Sequence, residues 1–189
     1  MKLVGILLAA GQGRRFGSDK LMHALPDGQP MGVASAGRLL PACDQVIAVW
    51  RPGGELLAEQ LAEIGCRTLC CPEAAQGMGH SLAAAVQATP DAGGWIVALG
   101  DMPFIEIETH GRVGQALRDG AEIVTVTYRG RRGHPVGFSQ AHRDALSALT
   151  GDRGARGLIA ASGSRVLNLD VVDAGILRDV DTPEDLLIV

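Results

Sequence analysis

The alternation of short apolar runs with stretches of helical periodicity is the feature that most constrains the fold of this chain. The clearest apolar runs are Leu3–Leu8, Gln45–Trp50 and Trp95–Leu99, and a helical spacing of apolar residues follows the second run at Glu55–Ile64. A continuous apolar run is typical of a strand that is buried on both faces of a parallel sheet. Strands that alternate with helices imply βαβ units with right-handed crossovers, so the sequence predicts a mostly parallel sheet.

The rest of the chain continues this pattern. Further strands are predicted at Arg67–Cys71, Glu122–Thr127, Pro135–Phe138, Arg165–Leu169 and Leu177–Val180. Helices are predicted at Ser81–Ala88 and Glu106–Arg118, and a last helix is predicted to start with Thr182 as N-cap and Pro183 as first residue. No long linker divides the chain, and 47% of its residues are hydrophobic. We therefore predict one domain over residues 1–189 with a three-layer α/β/α, Rossmann-like fold.

The loop that follows the first predicted strand has the composition of an anion site. Gly11 and Gly13 let backbone N–H groups approach phosphate oxygens, and Arg14, Arg15 and Lys20 add positive charge. An ordinary glycine turn with solvated arginines is the alternative. The net charge of −4 offers no general attraction to nucleic acid or to anionic membranes, so neither is predicted as a partner.

Two well-known phosphate loops do not match this segment. A Walker A loop and a Rossmann fingerprint that begin at Gly11 both require glycine at position 16, where this chain has Phe16. The Rossmann pattern also requires an acid at the end of the second strand, where Trp50 and Arg51 stand. The mismatch argues against an NAD-dependent dehydrogenase.

Carboxylates follow two other predicted strands, and ligands bind beyond the carboxyl ends of strands in such sheets. Asp101 comes directly after Trp95–Leu99 and Gly100, and it is either a magnesium ligand or a turn residue. Asp179 and Asp181 have strand spacing that would place both side chains on one face, although Asp181 also suits a helix cap.

Three further segments are candidates for binding the substrates. Gly77, Gly79 and Ser81 admit the base or ribose, or simply start a helix. His134 shapes an acceptor side or is structural, and Arg156 meets an acceptor phosphate or belongs to a solvated helix start. No Ser–His–Asp or Cys–His constellation stands out, so the chemistry would rest on positioning and charge neutralisation.

The sequence LAAGQGRRFGSDK at residues 8–20 resembles the signature of the nucleoside-triphosphate transferases that make molybdenum cofactor dinucleotides. Five more motifs of that family follow in order: QGMGHS at 76–81, GDMP at 100–103, GHPV at 133–136, GDRGAR at 151–156 and DVDTPED at 179–185. Together the six motifs span nearly the whole chain. LAAG, GHPV and GDRGAR are more similar to the cytidylyltransferase branch than to the guanylyltransferase branch.

The resemblance implies a fold like that of the nucleotide-diphospho-sugar transferases and a Mg²⁺-dependent transfer of CMP from CTP to the phosphate of molybdopterin. It implies catalytic roles for Lys20, Arg15 and Asp101, with Asp101 and Asp181 rather than Asp179 as metal ligands. The implied nucleotide contacts are Ala9, Ala10, Gly11, Gly13, Arg14, Arg15, Lys20, Gly77, Gly79 and Ser81, and the implied acceptor side is His134 and Arg156. A molybdoenzyme or its maturation chaperone is an expected partner. GTP as donor, a different phosphorylated acceptor, and a non-catalytic nucleotide or cofactor carrier stay open.

The apolar stretch near the N-terminus is too short for a membrane span and leads directly into the glycine loop, so a cytoplasmic protein is expected. The four cysteines, Cys43, Cys66, Cys70 and Cys71, lack zinc-site spacing and are expected to be buried, reduced thiols.

Overall fold

The computed structural model describes residues 1–11 and 19–186. In that part of the chain, seven strands form one sheet. Their bounds are β1 Leu3–Leu8, β2 Gln45–Trp50, β3 Arg67–Cys70, β4 Gly94–Leu99, β5 Ile123–Tyr128, β6 Arg131–Ser139 and β7 Val166–Asp170. The order across the sheet is β3-β2-β1-β4-β6-β5-β7, and β6 alone runs antiparallel to its neighbours. The predicted mostly parallel sheet is confirmed.

Helices cover both faces of the sheet. The bounds are α1 Met31–Leu39, α2 Glu55–Glu63, α3 Met78–Gln87, α4 Ile107–Arg118, α5 Arg143–Ser147 and α6 Arg156–Ser162. Leu3 and Leu7 of β1 belong to the apolar core that includes residues of α1, α2 and α4. Val4 and Ile6 belong to a second core with residues of α3, α5 and α6. Alternate side chains of one buried strand therefore serve two helical layers, which confirms the three-layer architecture.

The strand predicted at Leu177–Val180 is wrong. The chain forms a 3₁₀ turn at Ala174–Leu177 instead. Asp173 caps this turn, because its Oδ1 accepts a hydrogen bond from the Gly175 N–H at 2.8 Å. A Cβ at Gly175 would overlap the carbonyl oxygen of Phe104, so close backbone packing fixes the turn.

Two other local predictions also differ from the structure. The segment after Thr182 forms a 3₁₀ turn over Pro183–Leu186 rather than an α-helix. Cys70 is exposed, whereas Cys66 and Cys71 are buried as expected. Within the described residues, no helix is long and apolar enough to cross a membrane.

Candidate active site

The loops after β1 and β4 leave the sheet side by side. Leu8, the last residue of β1, is in register with Val49 of β2 and Leu99 of β4. The pairing continues past the strands, since the Ala9 N–H donates to the Val49 carbonyl at 2.8 Å and the Gly100 N–H donates to the Leu8 carbonyl at 3.0 Å. The strand order reverses at this point, and open α/β sheets bind ligands at such a reversal.

A cavity of about 450 Å³ opens at this edge of the sheet. Among the residues predicted to bind nucleotide, Ala10, Gly11, Gly77 and Ser81 line the cavity, together with the predicted metal ligand Asp101. Two other members of the predicted set, Ala9 and Gly79, are buried. The predicted residues Gly13, Arg14 and Arg15 lie outside the described residues.

Lys20, Asp101 and Asp181 meet in one cluster. The Lys20 Nζ lies 3.0 Å from Oδ2 of Asp101 and 2.8 Å from Oδ1 of Asp181. The lysine is the most buried of the three, with 8% of its side chain exposed, against 29% for Asp101 and 45% for Asp181. One ammonium group therefore bridges two carboxylates that are 80 residues apart in the chain.

The charge of this lysine is secured by its two partners. Burial alone would lower the pKa of Lys20, because a buried ammonium loses its hydration. The hydrogen bonds and charges of Asp181 and Asp101 outweigh that effect and raise its pKa above the ordinary value. Lys20 is therefore protonated at neutral pH.

Backbone contacts fix the position of Asp101. The carbonyl of Gly100 accepts a hydrogen bond from the buried Ser35 Oγ of α1 at 2.9 Å, and Leu21 packs within 3.1 Å of where a Cβ of Gly100 would stand. The carbonyl of Asp101 itself accepts a hydrogen bond from the Val180 N–H at 2.9 Å. This last bond ties the segment before Asp181 to the loop of Asp101.

Asp185 holds the backbone at Asp181. Its Oδ2 accepts hydrogen bonds from the N–H groups of Asp181 and Thr182, at 2.9 and 2.8 Å, and from the Thr182 Oγ1 at 3.1 Å. These hydrogen bonds lower the pKa of Asp185, because they favour the carboxylate. The sequence interpretation placed Asp185 in the first turn of the predicted helix and gave it no part in the site. Its position three residues after the cap residue Thr182, as in a capping box, is the signal that could have found it.

Gly77 and Gly79 are held against a different backbone segment. The Gly79 N–H donates to the Gly151 carbonyl at 2.8 Å, and a Cβ on Gly77 would lie 2.5 Å from that same oxygen. Gly77 also has a φ of +127°, which favours glycine. Ser81 is buried, with 3% of the residue exposed. These glycines join the start of α3 to the segment of the GDRGAR motif.

A second cavity, of about 570 Å³, adjoins the first. The two cavities share Met78 and Asp152 among their lining residues. The two residues predicted for the acceptor side, His134 and Arg156, both line the second cavity. Burial lowers the pKa of His134, and the nearby Arg156 adds to that effect, while the charge of Asp101 opposes it.

The second cavity combines basic groups with an apolar floor. Arg132 and Arg153 join Arg156 along its wall. Val97 and Phe138, from neighbouring strands, are among its apolar lining residues. The cavity thus suits a ligand that carries both an anionic group and an apolar part.

The Lys20 cluster has the donor set of a divalent-cation site. Oδ2 of Asp101 and Oδ1 of Asp181 converge on one point that already holds a positive charge. Carboxylate oxygens are hard ligands, and Mg²⁺ is typically held by one or two carboxylates with water and substrate oxygens completing its shell. Among the described residues, no group of three or more His, Cys, Asp or Glu side chains forms a metal site. Water and substrate oxygens would complete the shell of a cation held by these two carboxylates.

Comparisons with known proteins agree with this architecture. The model of the MobA-like NTP transferase domain matches residues 5–166. The purine catabolism protein PucB of Bacillus subtilis (strain 168) is 31% identical over an aligned length of 196 residues. The alignment covers 97% of this chain and 93% of that protein. The nicotine blue oxidoreductase of Paenarthrobacter nicotinovorans is 28% identical over an aligned length of 193 residues. That alignment covers 97% of this chain and 94% of that protein.

A solved structure of similar fold is that of Rv0371c from Mycobacterium tuberculosis H37Rv. It has a TM-score of 0.84 and 28% identity, and the match covers 98% of this chain and 95% of that one. The same protein in complex with manganese has a TM-score of 0.82 and 26% identity, with 98% of this chain and 95% of that one covered. On the match over residues 5–166, this chain belongs to the family of MobA-like NTP transferase domains, whose members are nucleotidyltransferases.

Proposed function

We propose that this protein transfers CMP from CTP to the phosphate of molybdopterin and releases pyrophosphate. One observation carries the proposal: Lys20, Asp101 and Asp181 converge beside a cavity at the sheet edge, and that cavity adjoins a second one lined with basic residues. In this assignment the first cavity takes the nucleoside triphosphate and the second takes the acceptor. The choice of CTP and of molybdopterin rests on the sequence motifs.

The donor side supplies charge and shape. Ala10 and Gly11 border the first cavity and leave room for phosphate groups near the backbone. Lys20 neutralises phosphate charge, and Asp101 and Asp181 would hold a divalent cation. When bound, such a cation makes the α-phosphorus more electrophilic and stabilises the leaving pyrophosphate. The manganese complex of Rv0371c supports a divalent cation in proteins of this fold.

The acceptor side orients a nucleophile that is already anionic. An oxygen of the acceptor phosphate attacks the α-phosphorus, the bond from the α-phosphorus to the bridging oxygen of the β-phosphate breaks, and pyrophosphate leaves. Arg156 binds the acceptor phosphate by charge. His134 is neutral at pH 7, because its pKa is lowered below 6.5, so it donates or accepts a hydrogen bond without adding charge. A phosphate nucleophile needs no strong general base.

Pyrophosphate release tests the proposal. Purified protein is mixed with molybdopterin, Mg²⁺ and each of the four ribonucleoside triphosphates in turn, and turnover is expected with CTP. Asp101→Asn and Asp181→Asn should each lower kcat by roughly a hundredfold or more, since each removes a carboxylate that would hold the cation. Asp179→Asn is the matched control, because Asp179 is exposed and only two residues from Asp181.

Each alternative predicts a different result in that assay. Turnover with GTP but not with CTP would overturn the cytidylyl donor. Turnover of CTP with another phosphorylated compound but not with molybdopterin would overturn the acceptor. Binding of CTP without turnover of any triphosphate would indicate a non-catalytic carrier.

A further inference from the structure

We infer that Lys20 occupies the divalent-cation position in the nucleotide-free protein, so that metal binding requires the lysine to leave. The inference rests on the proposed function, because it takes Asp101 and Asp181 as the metal ligands. The Lys20 Nζ lies within 3.0 Å of one oxygen from each carboxylate. The ammonium therefore contacts the same two oxygens that would bind the cation.

Ammonium and metal compete for these oxygens. Mg²⁺ binds carboxylate oxygens at about 2.0–2.1 Å and tolerates little distortion of its octahedral shell. A cation at that distance from Oδ2 of Asp101 and Oδ1 of Asp181 would meet the positive charge of the Lys20 ammonium, which contacts the same two oxygens. The lysine is also the most buried member of the cluster, so it does not give way by moving slightly into solvent. The nucleotide-free protein should therefore bind a divalent cation weakly.

The nucleoside triphosphate offers Lys20 another partner. The cavity beside the cluster is lined by Gly11 and Asp101, so phosphate groups bound there lie close to the lysine. When the ammonium turns to the phosphates, it no longer competes with a metal ion for these carboxylate oxygens, and the metal ion gains phosphate oxygens as additional ligands. Metal and nucleotide then favour each other's binding, and this coupling is reciprocal. Until a substrate arrives, the ammonium offsets part of the negative charge of the two carboxylates.

Replacing the lysine distinguishes an ammonium group that competes with the metal ion from one that forms a permanent ion pair. The probe is Mn²⁺ alone, without nucleotide, with free Mn²⁺ measured by electron paramagnetic resonance. Lys20→Met should bind Mn²⁺ about tenfold more tightly than the wild type, or better, since charge-assisted hydrogen bonds of this kind compete directly with the metal. Lys2→Met is the matched control, because Lys2 is the only other lysine of the chain and is exposed. Its Mn²⁺ affinity should equal that of the wild type.

Mn²⁺ binding to Lys20→Met that equals or falls below wild-type binding overturns the inference. If Lys20→Met does not fold because the two carboxylates lose their shared ammonium, Lys20→Gln keeps a hydrogen-bond donor without the charge and gives the same prediction. Thermal unfolding is an independent readout: Mn²⁺ should raise the melting temperature of the variant more than that of the wild type.

The pyrophosphate assay keeps the two ideas apart. If the wild type turns over CTP and the Lys20 variants bind Mn²⁺ as the wild type does, only the inference about Lys20 is refuted. If those variants bind Mn²⁺ more tightly but the wild type turns over no triphosphate, the proposed reaction is refuted and the inferred cation position stands.

Discussion

His110 makes the stability of the fold sensitive to acid. It lies on α4 with 2% of the residue exposed. Burial lowers its pKa from 6.5 to about 4; the charge of Arg38 adds to this effect and that of Asp173 opposes it. Folding therefore favours the neutral imidazole, whereas the unfolded chain binds a proton below pH 6.5. The stabilisation is present above that pH and is lost as the pH falls towards 4.

The magnitude follows from the size of the shift. Each pKa unit corresponds to about 1.4 kcal/mol, so a shift from 6.5 to about 4 amounts to roughly 3 kcal/mol of unfolding free energy. Integration down to pH 5, where the unfolded-state histidine is almost fully protonated and the folded-state one is not, gives a loss of about 2 kcal/mol.

Urea unfolding of the wild type and of His110→Gln at pH 7.5 and pH 5.0 measures this loss. Glutamine does not titrate, so the wild type should lose about 2 kcal/mol more than the variant between the two pH values. The other four histidines are common to both proteins and cancel in the comparison. Any pH-independent cost of the substitution cancels as well. If the two proteins lose stability in parallel, His110 is not buried in its neutral form and the reasoning fails.

Two further substitutions test the backbone contacts around the site. Gly77→Ala should lower the unfolding free energy by about 2–4 kcal/mol, because its φ is +127° and the added methyl would meet the backbone of Gly151. Gly157→Ala is its control in the same urea experiment: no atom lies within 4 Å of the added Cβ, so stability should stay equal or rise slightly. Asp185→Ala should weaken Mn²⁺ binding in the presence of CTP, because the backbone at Asp181 loses its acceptor; equal affinity in the variant would mean that Asp181 is positioned by other contacts.

Buried strands and amphipathic helices were the predictable part of the fold. β1, β2 and β4 are continuous apolar runs because both faces of each strand pack against helices. The helix α1, Met31–Leu39, was not predicted. It contains two glycines and a serine, has no side-chain cap, and is buried on most sides, so neither propensity nor a polar face marks it. Tertiary packing decides its conformation: Leu57 lies 3.0 Å from where a Cβ of Gly32 would be.

The direction of β6 was equally hidden. A two-residue turn, Arg129–Gly130, reverses the chain between β5 and β6, and both residues have positive φ. Such turns usually carry asparagine or aspartate followed by glycine, and an arginine in the first position does not signal one. Gly133 and Pro135 also interrupt the pattern of β6, which is why its predicted start at Pro135 came four residues too late.

The candidate site was predictable where strand ends determine it. Asp101 and Gly11 follow two adjacent parallel strands, so their proximity follows from the sheet alone. The position of Asp181 near Asp101 does not follow from the sheet, because it depends on the capped turn at Asp173 and on the hydrogen bond from the Val180 N–H to the Asp101 carbonyl. The first is a local cap and the second joins segments far apart in the chain, and neither leaves a periodic signal.

The glycines near α3 lie where the two cavities of the candidate site meet. Gly77 and Gly79 were predicted to contact nucleotide, and the structure packs them against the backbone at Gly151. That contact places Met78 and Asp152 together on the wall shared by both cavities. The relative position of the cavities is therefore set by a rigid backbone contact rather than by flexible side chains. In-line transfer between two bound substrates needs this kind of fixed geometry, because a misplacement of about 1 Å can cost a hundredfold in rate.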